Sequence, residues 1–157
     1  MCGIAGSGKS TWLKNNAGNS MIISRDLIRF ALVKEDEPYF SKEDEVFKTF
    51  IRSIQEAINS ENSSEDIYVD ATHITKASRD KVLNALDLSN VKNVTVLVVR
   101  PSLEETLRRN EQRTGRAYVP RGVIRRMYYQ FERPEDDEDR IFDVKYVEVP
   151  AEWEKFG

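Results

Sequence analysis

The sequence has one cysteine, Cys2, and one histidine, His73, and it has no long apolar run. A single cysteine excludes an internal disulfide and suits a reducing cytoplasm. The Cys/His clusters of structural zinc sites are also excluded. A membrane-spanning helix needs about 20 consecutive apolar residues, and we find no signal peptide ahead of the first motif. These absences predict a cytoplasmic protein without a membrane partner.

The 157 residues, 39% hydrophobic and 32% charged, predict one globular domain over residues 1–157. A net charge of −3 and a pI of about 5.4 argue against a general nucleic-acid binder. The charge is nevertheless segregated. Eight arginines lie between positions 100 and 126, and an acidic run, expected to be a solvated loop, follows at 135–139. Guanidinium groups are well suited to phosphate, because they are permanently charged and bind it at two points.

The phosphate-binding pattern G-x-x-x-x-G-K-[ST] is matched at every fixed position by residues 3–10. Its glycines, Gly3, Gly6 and Gly8, let successive backbone N–H groups point at a polyphosphate. Lys9 would reach the β- and γ-phosphates, and the Ser10 hydroxyl would take one Mg²⁺ position. A helix predicted to begin near Lys9 adds its positive end. The alternative, a glycine-rich turn matched by chance, is weaker, so we expect a nucleoside triphosphate to bind here.

Only two residues, Met1 and Cys2, precede this motif, although such loops normally follow a buried strand. Either the first strand is a stub of two or three residues, or the native chain starts upstream.

The remaining pattern alternates between strands and helices, which predicts an α/β fold with a parallel sheet covered by helices. We expect four to five strands, with those after the first at 21–23, 66–70, 94–99 and 141–149. Helices are expected at 9–16, 25–34, 41–59 and 75–86, and on both sides of an interruption at 114–120. Capping boxes are predicted for Ser41 with Asp44 and for Ser102 with Glu105, and a cap is predicted at Thr75.

Ligands of open parallel sheets lie beyond the carboxyl ends of the strands, where Asp26, Asp70 and His73 are predicted to lie. A kinase requires a carboxylate that orients the acceptor hydroxyl and takes its proton, and Asp26 fits this role. The alternative is a helix cap. Arg29 would share the helix face of Asp26. Asp70 could contact Mg²⁺ through water or hold an arginine, and His73 is expected to be a hydrogen-bonded loop residue.

Three arginines, Arg109, Arg113 and Arg116, bracket the interruption between the last two helices. Two helices joined by a short arginine-bearing loop predict a lid at about 109–125 that closes over the triphosphate and excludes water. The alternative is a surface helical hairpin with solvated arginines.

Taken in order, these motifs resemble the kinase module of the bacteriophage polynucleotide 5′-hydroxyl kinase family, within the P-loop kinases. The resemblance covers nearly the whole chain and rests on the segments 6–12, Arg25-Asp26 with Arg29, 70–72, Arg109-Asn110 with Arg113, Val119-Pro120 and 126–128. It implies a P-loop kinase fold with a helical, arginine-rich lid.

The resemblance also implies roles for single residues. Asp26 would be the general base, Arg29 would hold the phosphate next to the acceptor nucleotide, and Arg113 would act on the transferring phosphoryl group. Asp70 would be a supporting carboxylate. The nucleotide site would include Ser7, Thr11, Arg109 and Arg116, and the acceptor site would include Val119.

The sequence therefore predicts an ATP- and Mg²⁺-dependent kinase acting on the 5′-hydroxyl end of RNA or DNA, with no obligate protein partner. One alternative is a P-loop kinase for a small hydroxylated molecule, such as a nucleoside, an antibiotic or a nucleotide sugar. Another is a regulatory module that binds nucleotide without transferring phosphate.

Overall fold

The computed structural model describes residues 1–60, 66–135, 140–141 and 143–150. Four strands are present in this part of the chain: β1 (Met21–Ser24), β2 (Ile67–Asp70), β3 (Thr95–Val99) and β4 (Asp143–Val147). β1 pairs with β2, and β3 pairs with β4, both in parallel. Residues 136–139 of the predicted acidic loop lie outside the described residues, as does position 142 of the last predicted strand.

The first three residues lie between the two strand pairs and connect them. The Cys2 N–H donates to the Leu97 carbonyl at 2.8 Å, and the Val99 N–H donates to the Cys2 carbonyl at 2.9 Å. On the other side, the Met1 nitrogen donates to the Val69 carbonyl at 2.8 Å. The spatial order is therefore β1, β2, residues 1–3, β3 and β4. The short segment occupies the centre of the sheet, as the prediction of a stub strand requires.

Six α-helices surround these strands within the described residues, and most lie where the sequence pattern puts them. They are α1 (Lys9–Asn16), α2 (Arg25–Leu32), α3 (Glu43–Asn59), α4 (Lys76–Asn84), α5 (Leu103–Glu111) and α6 (Arg121–Gln130). A short 3₁₀ turn, Gly115–Ala117, lies between α5 and α6. It occupies the predicted interruption.

The structure corrects three helix boundaries, one of which is the end of α4 at Asn84, two residues before the predicted end at position 86. The capping box predicted for Ser41 and Asp44 is wrong, because α3 begins at Glu43 and its N-cap is Lys42. The Ser41 N–H instead donates to the Pro38 carbonyl at 3.0 Å, which closes a turn ahead of the helix. α2 ends at Leu32, two residues early, since Val33 has extended backbone angles.

Two other predicted caps are present. The Thr75 side chain accepts from the Ser78 N–H and forms a reciprocal capping box with it. Ser102 caps α5 by accepting from the Glu105 N–H. The Glu105 carboxylate does not close the predicted box but pairs with Arg108 and Arg109.

The core lies on both sides of the sheet. The apolar stripe of α3 forms a buried cluster with Ile23 of β1 and Val82 of α4, and its central side chain, Phe50, is fully buried. A second cluster joins Ile4, at the start of the phosphate-binding motif, to Leu107 of α5 and Ile124 of α6. The second cluster packs the motif against the last two helices. In the described part of the chain, no helix is long and apolar enough to cross a membrane.

Candidate functional site

The phosphate-binding loop, residues 3–10, leads from the central segment of the sheet into α1. Gly8 has a φ of +105°, a conformation that side chains rarely adopt, and a Cβ there would lie 2.8 Å from the Arg109 Nη1. The helix begins directly after it, at Lys9. The Lys9 Nζ donates to the carbonyls of Gly3 at 2.8 Å and Ile4 at 3.1 Å. The loop therefore has the curled backbone that its sequence predicts.

Two polar atoms around this loop are buried without a hydrogen-bond partner, namely the Ser7 Oγ and the Arg113 Nη1. A buried donor or acceptor left unpaired costs about 1–3 kcal/mol. A phosphate oxygen would accept a hydrogen bond from either group. This pair of unsatisfied groups, one in the loop and one in the predicted lid segment, is compatible with a bound phosphate group.

Lys9, Ser10 and Asp70 lie together at the carboxyl end of β2. Burial raises the pKa of Asp70, while the charge of Lys9 and a hydrogen bond with Ser10 oppose that rise. Burial also lowers the pKa of Lys9, against the opposing effect of Asp70 and Asp26. The same amine feels the charge of Arg113. The loop lysine, two carboxylates and the lid arginine thus share one region.

Asp26 lies in the first turn of α2, and its side chain is 58% exposed. The helix cap is Ser24, whose hydroxyl accepts from the Leu27 N–H at 3.3 Å. The alternative interpretation of Asp26 as the cap is therefore wrong. Its Oδ1 accepts instead from Arg29 at 2.5 Å and from the Tyr39 hydroxyl at 3.0 Å. A carboxylate held from one side and open to solvent can accept a hydrogen bond from a ligand hydroxyl.

Arg29 lies one turn after Asp26 but is only 6% exposed. Its Nε donates to the Glu43 Oε1 at 2.6 Å, and its Nη2 donates to the Glu43 Oε2 at 3.0 Å. Burial alone would lower the pKa of Arg29, but hydrogen bonds with Glu43 and Tyr39, together with the charges of these two groups, outweigh burial and raise it. The Arg29 contact with Asp26 agrees with the predicted shared face. Its role toward an acceptor phosphate stays a prediction.

The two lid arginines nearest the loop have different surroundings. The Arg109 Nη1 donates to the Ser7 carbonyl at 2.6 Å, and its Nη2 donates to the Val149 carbonyl at 2.9 Å. Arg109 therefore joins the loop to the segment after β4 through backbone contacts. The Nη1 of Arg113, four residues further on, is buried without a hydrogen-bond partner, and the charge of Arg113 acts on Lys9. Their roles in nucleotide binding and transfer stay predictions.

The two ends of the segment between α5 and α6 are joined by hydrogen bonds. The buried Asn110 side chain accepts from the Val119 N–H at 3.0 Å and donates to the Val119 carbonyl at 2.6 Å. The Val119 side chain packs into the cluster around Ile124. Arg116 instead contacts α2, where its Nη2 donates to the Val33 carbonyl at 2.8 Å. Nucleotide binding by Arg116 and acceptor binding by Val119 stay predictions.

The eight arginines that the sequence groups together do not form one patch. Arg100 lies over the rings of Tyr128 and Phe131, at 4.4 and 4.7 Å from their centroids. Arg108 pairs with Glu105 on the helix surface. The arginines of this stretch therefore differ in their partners, and their roles toward phosphate stay predictions.

Three residues of this site have structural roles that the sequence did not suggest, namely Glu43, Tyr39 and Asn110. Glu43 contacts α2 from the start of α3, and Tyr39 contacts it from the loop before α3. Their distance from α2 in the sequence follows no helical spacing, so the sequence did not predict these contacts. Asn110 lies in a motif of the resemblance, but only the fold shows that it holds the lid. His73 is a hydrogen-bonded loop residue, as predicted, and its Nδ1 donates to the Met1 carbonyl at 2.8 Å.

The comparison with known proteins supports the same architecture. A family model described as an AAA domain matches residues 1–134. A gluconokinase from Sinorhizobium meliloti superposes with a TM-score of 0.56 at 20% identity, over 98% of this chain and 83% of that one. A sugar kinase from a Janibacter species superposes with a TM-score of 0.62 at 19% identity, over 96% and 85%. No curated protein sequence matches the chain.

Neither of these two structures is a polynucleotide kinase, so the sequence-based resemblance is supported only at the level of the P-loop kinase fold. The parallel strands, flanking helices and phosphate-binding loop agree with that fold. The chain belongs to the AAA-domain family whose model spans residues 1–134, and it has the α/β fold of P-loop kinases.

Proposed function

We propose that this protein is an ATP-dependent kinase that phosphorylates a hydroxyl group of a small, sugar-like molecule. The two similar structures named above are a gluconokinase and a sugar kinase. Their low identity supports the fold only, so the choice of acceptor depends on the site itself. The proposal favours the small-molecule alternative over the 5′-hydroxyl end of a nucleic acid.

The observation that carries this choice is the environment of Arg29. A polynucleotide kinase would need this arginine to hold the phosphate next to the acceptor nucleotide. Here Glu43 takes its Nε and Nη2, while Asp26 and Tyr39 share its Nη1. Binding an acceptor phosphate would require a largely buried guanidinium to leave a two-point carboxylate pair. A small hydroxylated acceptor makes no such demand.

The proposed reaction uses residues that lie at one rim of the sheet. Asp26 orients the acceptor hydroxyl and takes its proton as the hydroxyl oxygen attacks the γ-phosphorus. The bond from the γ-phosphorus to the β–γ bridging oxygen breaks, and ADP leaves. Lys9 and Arg113 stabilise the negative charge on the phosphoryl oxygens, and the lid excludes water.

Magnesium is the metal that this chemistry implies. The Ser10 hydroxyl and the adjacent Asp70 carboxylate would supply hard oxygen atoms, which Mg²⁺ prefers. When bound, the ion neutralises charge on the phosphates. These two side chains fit that role.

The experiment that tests the proposal is a phosphorylation assay with γ-labelled ATP and a panel of acceptors. The panel contains sugars, sugar acids, nucleosides, 3′-mononucleotides and 5′-hydroxyl oligonucleotides of RNA and DNA. We expect label transfer to one of the small molecules and none to the oligonucleotides. The matched control is Asp26→Asn, which keeps the shape of the side chain and should stop transfer.

Two results would contradict the proposal. Efficient labelling of an oligonucleotide, with a low Michaelis constant, would restore the polynucleotide hypothesis. Tight ATP binding without transfer to any acceptor, with the wild type and the Asp26→Asn variant behaving alike, would favour a regulatory nucleotide-binding module.

A further inference from the structure

Helix α2 and the lid are in direct contact in this structure, although they are far apart in sequence. The contact is made by Arg116, in the 3₁₀ turn of the lid. Its Nη2 donates to the Val33 carbonyl at 2.8 Å, and its guanidinium carbon lies 4.6 Å from the centre of the Phe30 ring. Two independent interactions thus hold one side chain against the end of α2.

The position of this contact on α2 is electrostatically favourable. Val33 is the C-cap of the helix, where unpaired carbonyls give a partial negative charge. A guanidinium there gains from the helix dipole, and the ring of Phe30 adds a cation–π interaction. The same helix carries Asp26 in its first turn. Arg116 therefore connects the lid to the helix that holds the proposed base.

The other arginine of this segment, Arg113, is close enough to the phosphate-binding loop for its charge to act on Lys9. Arg113 lies three residues before Arg116, and its Nη1 is buried without a partner. The ends of the segment are joined to each other through Asn110 and Val119. Without Arg116, the turn between these points would lose its hydrogen bond with Val33 and its contact with the Phe30 ring.

We infer that Arg116 is a positioning residue, which ties the lid to α2 and thereby sets Arg113 over the phosphate-binding loop opposite Asp26. This inference rests on the proposed phosphoryl transfer. It differs from nucleotide binding by Arg116, which the sequence suggests. Arg116 touches no reacting atom, and its effect on the rate passes through Arg113.

The test is a double-mutant cycle of Arg113→Ala and Arg116→Ala, with Arg116→Lys as the conservative variant. The exposed Arg121, which pairs with Glu111 at 3.5 Å, supplies the matched control Arg121→Ala on the same lid. Turnover is measured with the acceptor and also as slow ATP hydrolysis by water, which needs no acceptor. ATP affinity is measured by calorimetry with a non-hydrolysable analogue.

Displacement of catalytic groups by about 1 Å can cost about 10²-fold in rate, so we expect Arg116→Ala to lower turnover by about 10- to 100-fold. ATP affinity should stay within about a factor of two, the usual margin for uncoupled sites. Arg116→Lys should recover part of the rate, because it keeps a cation over Phe30. In the Arg113→Ala background, Arg116→Ala should cause no further loss.

Three results would overturn the inference. A large loss of ATP affinity in Arg116→Ala would make Arg116 a nucleotide-binding residue. Rate losses that multiply in the double variant would show that it does not act through Arg113. An unchanged rate would show that the contact with α2 is without catalytic effect.

Two further measurements keep the inference testable if Arg116→Ala does not fold or if the wild type transfers phosphate to no acceptor. Should Arg116→Ala fail to fold, Phe30→Leu removes only the ring beneath the guanidinium and should lower turnover in the same way, more weakly. If the wild type transfers to no acceptor, the proposed function fails, while ATP hydrolysis still tests the cycle. If the wild type also hydrolyses no ATP, the proposed kinase function, the positioning role of Arg116 and the catalytic role of Arg113 are all wrong.

Discussion

The guanidinium of Arg29 and the carboxylate of Glu43 form a two-point ion pair between α2 and α3. The joined atoms are Nε with Oε1 at 2.6 Å and Nη2 with Oε2 at 3.0 Å. These hydrogen bonds with Arg29 are the main reason why the pKa of Glu43 lies below its ordinary value. The pair holds Asp26 indirectly, because Arg29 also donates to that carboxylate.

We therefore expect Arg29→Ala to destabilise the protein as well as the site. Breaking a buried pair costs about 3–5 kcal/mol, and the partly exposed Glu43 puts this variant near the lower end, at about 3 kcal/mol. Urea denaturation of the variant, beside Arg121→Ala as an exposed control, measures the loss. A stable variant whose only defect is weaker acceptor binding would show that Arg29 grips substrate.

Lys9→Ala should lower turnover while leaving the fold intact. The amine is the cation of the phosphate-binding loop, and removing one preorganised donor costs about 10²–10³-fold in rate. The variant should stay folded, because the apolar core does not contain this side chain, although it loses the hydrogen bonds of the amine to the Gly3 and Ile4 carbonyls. Near-normal turnover in the purified variant would remove the loop from the mechanism.

Asp26→Asn should separate catalysis from nucleotide binding. Loss of a positioned base typically lowers turnover by about 10²–10⁴-fold. ATP affinity should persist, since Asp26 lies on α2 and not in the loop. Calorimetry with an ATP analogue and initial rates with the acceptor measure the two quantities, and a joint collapse would make Asp26 a structural residue.

Arg113→Ala should reduce turnover the most among the lid variants. An arginine on the transferring phosphoryl group can contribute about 10³–10⁵-fold. Its Nη1 is already buried without a partner, so its removal should cost no stability. Single-turnover rates are to be compared with those of Arg121→Ala, which should resemble the wild type. Equal rates would mean that the lid arginines have no catalytic role.

His73 should make the stability of the protein depend on pH. Burial lowers the pKa of His73 from 6.5 to about 3, so between these values the unfolded chain binds a proton that the folded chain does not. Stability should therefore fall as the pH drops below about 6.5. Urea denaturation between pH 7.5 and 5 measures this slope, in a window that lies above the ordinary pKa of 4.5 for Glu43. Burial lowers the pKa of the Met1 amino group from 8.0 to about 6, so this group adds a slope of the same sign in both the wild type and a His73 variant.

The matched variant for this prediction is His73→Asn. Asparagine tolerates the positive φ of 46° at this position and can keep a donor for the Met1 carbonyl. It does not titrate, so we expect a flatter pH profile. An unchanged slope would assign the effect to other groups.

The elements that the sequence predicted well depend on local rules. The phosphate-binding loop follows from the positions of glycines that accept positive φ, such as Gly8, and from the lysine and serine after them. The apolar stripe of α3 and the caps at Thr75 and Ser102 depend on residues a few positions apart. Alternation of strands and helices was sufficient to predict the parallel α/β fold, because few connections between such elements are possible.

Contacts between distant segments were decided only by the tertiary structure. Spacing put Arg29 beside Asp26, but only the packing of α2 on α3 brings Glu43 to its guanidinium. The arginines between 100 and 126 look alike in sequence, yet they contact an aromatic pair, the phosphate-binding loop and α2. A long flexible side chain takes whatever partner the fold brings within reach, so local sequence determined which residues carry charge, and tertiary packing determined which charges remain open to a ligand.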